Sequence, residues 1–149
     1  MVGVDGSPAS TAALRWASGE AQLRGARLVA VSAWSYVPLA SIGDPGMLSI
    51  PAGDVPGELD AERHAAETEL ERAFSEAFPD GVPSEIEKRL VEGDAAEALL
   101  EEGAAADLVV VGSRGRGGLA SALLGSVSHH VINHAACPVV VVKAPGERG

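Results

Sequence analysis

The chain has 149 residues, the length of one typical domain, with 46% hydrophobic and 21% charged residues, a globular rather than fibrous or disordered balance. Its net charge of −10 argues against a broad nucleic-acid or anionic-membrane surface, and no run approaches the roughly 18 apolar residues of a membrane span. The single Cys137 excludes an internal disulfide and a Cys-based metal cluster; with no basic-then-apolar segment opening the chain, the expected compartment is the reducing cytoplasm.

Met1-Val2-Gly3-Val4 reads as a short buried strand ending at Asp5-Gly6-Ser7-Pro8. Ser7 suits a helix N-cap and Pro8 the first helical position, and Ala13, Leu14, Ala17 and Ala21 give Ala9 to Arg24 a helical period, closed by Gly25. Leu28 to Trp34 is a second apolar run of strand length. Residues 35–57 carry Pro38, Gly43, Pro45, Gly46, Pro51, Gly53, Pro56 and Gly57, the composition of a long mobile loop. Leu59 to Phe78 is the clearest helix, with Ala66, Leu70, Ala73, Phe74 and Ala77 on one face. Ile86, Lys88 and Leu90 alternate with Glu85, Glu87 and Arg89, a polar strand suited to a sheet edge; a helix is expected over Asp94 to Ala105. Leu108 to Val111 is a continuous apolar strand of the kind covered on both faces. A Gly-rich loop follows from Gly112 to Gly118, then a helix from Ser126 to His134 and a last strand, Pro138 to Val142. The alternation of strands and helices predicts an α/β fold with a mostly parallel five-stranded sheet in one domain, residues 1–149.

Charge is distributed unevenly. Residues 1–102 carry a net −12 and residues 103–149 a net +2, so an anion site belongs in the final third. There, Gly112-Ser113-Arg114-Gly115 is followed after nine residues by Gly125-Ser126-Val127-Ser128. Glycines leaving a buried strand let backbone N–H groups approach a phosphate closely, and the start of the next helix offers free N–H groups and a positive dipole end. Ser126 and Ser128 add hydroxyls, and Arg114 and Arg116 add charge. The same glycines also suit a plain strand-to-helix turn. The chain has no Walker A loop, and Gly115-Arg116-Gly117-Gly118 follows the fourth strand rather than the first, so neither common nucleotide fingerprint applies.

The chain resembles the universal stress protein family along nearly its whole length, from Val2-Gly3-Val4-Asp5-Gly6-Ser7 through Glu92-Gly93-Asp94 and the helix after it to Cys137-Pro138-Val139. Gly112 to Ser126 matches the G-x2-G-x9-G-[ST] signature of that family's ATP-binding branch; the branch without it is generally regarded as not binding ATP. The resemblance implies an open, Rossmann-like sheet of the adenine nucleotide alpha hydrolase type, order 3-2-1-4-5, with helices on both faces. Strands one and four then flank a crevice at the point where the order reverses. By similarity Val4 and Asp5 border the nucleotide and the Ala33 backbone meets the adenine edge. Gly112, Ser113, Arg114, Gly115, Gly125, Ser126, Val127 and Ser128 hold ribose and phosphates. The implied cofactor is ATP, with Mg2+ as an optional companion. Family members usually carry several residues before the Val-Gly-Val-Asp stretch, so strand one is expected to be short here.

Other residues have two readings. Asp5 either borders the ligand or ties the Gly6-Ser7 turn. His130 and His134 share a helix face, as a metal pair would, but no third ligand accompanies them. Cys137, Trp16 and Trp34 read as packing residues. The leading functional reading is an ATP-binding stress-response protein acting through nucleotide-dependent interactions. The alternative is a slow ATPase or nucleotide-dependent enzyme on the same fold, against which residues 108–134 contain no Asp or Glu. A phosphorylated receiver domain fits poorly, because no acidic pair follows strand one. Val139, Val140, Val141 and Val142 would form an apolar edge strand, inviting a homodimer.

Overall fold

The computed structural model describes residues 1–35, 57–117 and 124–146. The expected loop over 35–57 lies outside the described residues apart from its two ends, as does Gly118 with much of the nine-residue spacer. In chain order the elements are β1 (Val2–Gly3), α1 (Pro8–Arg24), β2 (Leu28–Trp34), α2 (Glu58–Ala77), β3 (Ile86–Glu92), α3 (Ala95–Gly103), β4 (Val109–Gly112), α4 (Ser126–His134) and β5 (Val139–Val142). The sheet is fully parallel among these strands, in the order β3-β2-β1-β4-β5.

Local chemistry sets the helix ends. The Ser7 side chain accepts from the Ser10 N–H, Pro8 sits at the first helical position, and Gly25 adopts φ 61° to close α1 with its N–H on the Ala21 and Gln22 carbonyls. Asp94 caps α3 by accepting from the N–H groups of Ala96 and Glu97. That helix stops two residues before the expected Ala105. The Ala104 N–H reaches back only three residues, to Glu101, and tightens the last turn. Gly103 lies where a Cβ would meet Val109 Cγ2 at 2.9 Å, so the chain turns directly against β4.

The two sheet faces carry separate cores. Val2, Val4, Ala30 and Val110 face α1 and α2, where Ala13, Leu14, Ala17, Leu70 and Phe74 meet them. Val31, Val109 and Val111 face α3 and α4, meeting Leu99 and Val131. The alternation of Val110 against Val109 and Val111 explains why β4 reads as an unbroken apolar run. Small residues on α1 let that helix lie close: a Cβ on Gly112 would sit 2.8 Å from the Ala9 carbonyl carbon and the Ser10 nitrogen. The two edges differ. β3 is lined with ion pairs, Lys88 to Glu71 and Arg89 to Glu87 and Glu102, whereas β5 is four half-buried valines.

Candidate functional site

The β1–α1 corner is fixed by its own polar groups. The Ser7 N–H donates to Asp5 Oδ1 (3.0 Å), the Asp5 N–H to Ser10 Oγ (3.3 Å), and the Ser10 hydroxyl to the Ser7 carbonyl (3.0 Å). The two carboxylate oxygens of Asp5 have different surroundings. Oδ1 ties the turn, while Oδ2 lies 2.6 Å from where a Cβ on Gly115 would stand.

The β4–α4 connection is stapled to that corner and to its own helix. Ser7 Oγ donates to the Arg114 carbonyl (3.1 Å), and the Gly125 N–H donates to the Ser113 carbonyl (2.8 Å). A Cβ on Gly125 would lie 3.3 Å from Arg114 Cα, so the two glycine segments touch backbone to backbone. Ser128 is buried and its hydroxyl donates to the Gly112 carbonyl (2.5 Å), so this side chain braces the loop. Gly125 provides no side-chain cap to the first turn of α4.

Between these segments lies a cavity of about 460 Å3 at the carboxyl edge of the sheet, where the strand order reverses between β1 and β4. Val4, Asp5, Ala33, Gly112, Arg114, Gly115, Gly125, Ser126, Val127 and Ser128 all line it. Ser113 does not: it is almost fully buried, and its backbone joins β5 to Gly125. Ala33 shares the strand parity of Val31, whose carbonyl accepts from the Val4 N–H (2.8 Å). Its own N–H and C=O thus point to the β1 side, just beyond Gly3, where β1 ends. Among the described residues, no residue of β1 pairs with Ala33. Val31, Leu99 and Val111 supply an apolar wall beside it.

Residues distant in sequence complete the lining. Ser10 and Ala95 bring the first turns of α1 and α3 to the cavity that α4 also faces, so three helix starts converge on it. Their adjacency follows from strand order, which no single motif spells out. Arg116 lines the same space, its Nε donating to the Asp5 carbonyl and its Nη1 3.9 Å from Glu69 Oε1 on α2. Arg72 beside Glu69, with a weaker contribution from Arg116, holds that carboxyl below the usual carboxylate range. Asp5 is the only carboxylate lining the cavity among the described residues.

The remaining candidates fall elsewhere. His130 and His134 stack with ring centroids 4.2 Å apart on the exposed face of α4, and His134 Nδ1 lies 2.9 Å from the His130 carbonyl oxygen. No three His, Cys, Asp or Glu residues cluster to hold a metal among the described residues. Cys137 packs beside the α3–α4 core as a small hydrophobe. Trp16 departs from its packing role, at 38% exposed, because it stands at the rim of a second cavity at the opposite sheet edge.

Comparison with known proteins gives a consistent picture. The model of the universal stress protein family matches residues 1–143. A universal stress protein of Mycobacterium tuberculosis is 43% identical over 144 residues, which is 96% of this chain and 44% of that relative. The chain therefore spans less than half the length of the curated relatives it matches. Among solved structures, a universal stress protein in complex with cAMP has a TM-score of 0.65 at 28% identity, covering 96% of this chain and 94% of the other. The universal stress protein of Archaeoglobus fulgidus in complex with dAMP has a TM-score of 0.59 at 25% identity, covering 95% and 94%.

Proposed function

The chain belongs to the universal stress protein family, and on that premise we propose that it binds an adenine nucleotide, ATP in particular, and acts in a cytoplasmic stress response through nucleotide-dependent interactions. The observation that carries the reading is the convergence on one cavity of Asp5, the open amide edge at Ala33, the Gly112–Gly115 turn and the uncapped start of α4. A base fits the apolar, amide-edged side by the β2 end. Phosphates fit the side built from backbone N–H groups, Ser126 and Arg114. The complexes of relatives with cAMP and dAMP support the nucleotide class. Mg2+, where it accompanies the phosphates, would find Asp5 as its carboxylate partner and take its other ligands from phosphate and water.

A second reading, slow ATP hydrolysis at the same site, rests on Asp5 alone, since its Oδ2 reaches the loop at Gly115. The working unit is proposed to be a homodimer joined through β5. No helix among the described residues is long and apolar enough to cross a membrane. To test the nucleotide reading, purified protein is denatured, the released small molecules are chromatographed, and the refolded or native protein is titrated with ATP by calorimetry. Released adenine nucleotide or saturable ATP binding is expected. Neither appearing would overturn it.

A further inference from the structure

Arg116 is placed unlike the other cavity residues, because it belongs to the site and to an ion cluster on α2 at once. Its Nε donates to the Asp5 carbonyl, across 111 positions of sequence, which fixes the guanidinium at the cavity mouth. Its Nη1 is 3.9 Å from Glu69 Oε1, the outer limit of an ion pair, and its side chain is 60% exposed. Glu69 does not depend on it. Arg72 donates to both oxygens of that carboxylate and also reaches Glu76 and the Gly6 carbonyl. Glu69 thus has a stronger partner, and Arg116 gives up little by leaving it.

A phosphate oxygen is a better partner for an arginine fork than a carboxylate at the limit of contact. From this placement, and resting on the nucleotide reading above, we infer that Arg116 is a specificity-determining residue. It exchanges Glu69 for the distal phosphates of the ligand, so that the site distinguishes a nucleoside triphosphate from a monophosphate, and Glu69 is only a weak competitor for it.

ATP and AMP affinities measured by calorimetry on the parent, Arg116→Gln, Glu69→Gln and the double variant test this. Circular dichroism checks that each is folded, and Arg116→Lys serves as a second variant that keeps the charge without the fork. Arg116→Gln is expected to weaken ATP roughly tenfold, the scale of one charge-assisted contact, while AMP changes by less than about twofold. Glu69→Gln is expected to tighten ATP by only about twofold, the scale of an exposed ion pair, and this gain should vanish in the Arg116→Gln background. Equal losses for ATP and AMP in Arg116→Gln would overturn the inference. So would a Glu69→Gln gain that persists without Arg116, which is mere removal of a negative charge. A parent that binds neither nucleotide would overturn the nucleotide reading itself, a distinct result.

Discussion

A Cβ added to Gly115 would stand 2.6 Å from Oδ2 of Asp5, two residues 110 positions apart that face each other across the mouth of the cavity. Asp5 has little room to retreat, because its Oδ1 accepts the Ser7 N–H and its own N–H donates to Ser10 Oγ. Gly115→Val is therefore expected to displace either the carboxylate or the loop. ATP binding should weaken at least about tenfold with adenosine much less affected, the loss of one or more charge-assisted phosphate contacts. Pairing Gly115→Val with Asp5→Ala removes the collision. If stability returns while ATP binds more weakly than to Asp5→Ala alone, the loop backbone itself is what the phosphates need. Calorimetry with both ligands on variants of matched circular dichroism decides it, and unchanged ATP affinity in folded Gly115→Val would refute the phosphate-cradle assignment.

The parts of this site that lie in one stretch of chain were legible in the sequence, and the parts assembled by topology were not. Gly112 to Ser126 carries its spacing in a single segment, and Ser7, Pro8 and Asp94 declare helix starts within four residues of themselves. Ser10, Ala95 and Leu99 join the cavity only because β1 lies between β2 and β4, which brings the starts of α1 and α3 to the same edge. Ser128 shows the converse. Its type and position suggested a phosphate donor, but its hydroxyl satisfies the buried Gly112 carbonyl, a partner visible only in three dimensions.

Gly112 tests the seam between β4 and α1. A Cβ there would lie 2.8 Å from backbone atoms of Ala9 and Ser10, which cannot rotate aside as a side chain would. Gly112→Ala is expected to cost about 1–3 kcal/mol of stability through overpacking. Urea or thermal unfolding measures it, and a stability equal to the parent would show that α1 shifts freely on the sheet.

The stability that Glu69 contributes should survive mild acid and disappear only in strong acid. Arg72 lowers the pKa of this carboxyl in the folded protein from its ordinary value of 4.5. A depressed folded-state pKa contributes stability that is present above the ordinary value and lost as pH falls through the lowered one. The parent's advantage over Glu69→Gln is expected to be small, because the cluster is solvent-screened, level at neutral pH, and gone under strong acid. Denaturant unfolding across pH reads this directly, and an advantage that grows on acidification would contradict the sign.

Hydrolysis is expected to be slow. Asp5 is the only cavity-lining carboxylate among the described residues, and residues 108–134 hold no Asp or Glu. A general base needs a free oxygen aimed at the attacking water. Steady-state phosphate release should fall far below the roughly 10 per second typical of enzymes. A rate near that value, abolished by Asp5→Asn, would convert the binding protein into an ATPase.

The strand parity of β5 defines how its proposed pairing can be tested. The carbonyls of Pro138 and Val142 accept from Val109 and Ser113, so residues 138, 140 and 142 turn their backbone groups to β4 while Val139 and Val141 turn theirs outward. Lysines at Val140 and Val142 would be a poor probe, because both side chains pack against the α1–α2 core and their loss would unfold the sheet edge. Val141→Pro instead removes an outward N–H while leaving every β4–β5 hydrogen bond its donor, and proline is tolerated on an edge strand at such a position. A parent dimer at micromolar concentration and a folded Val141→Pro monomer, both by light scattering, are expected. A monomeric parent would remove the dimer altogether. A dimer that survives Val141→Pro would place the interface on another surface.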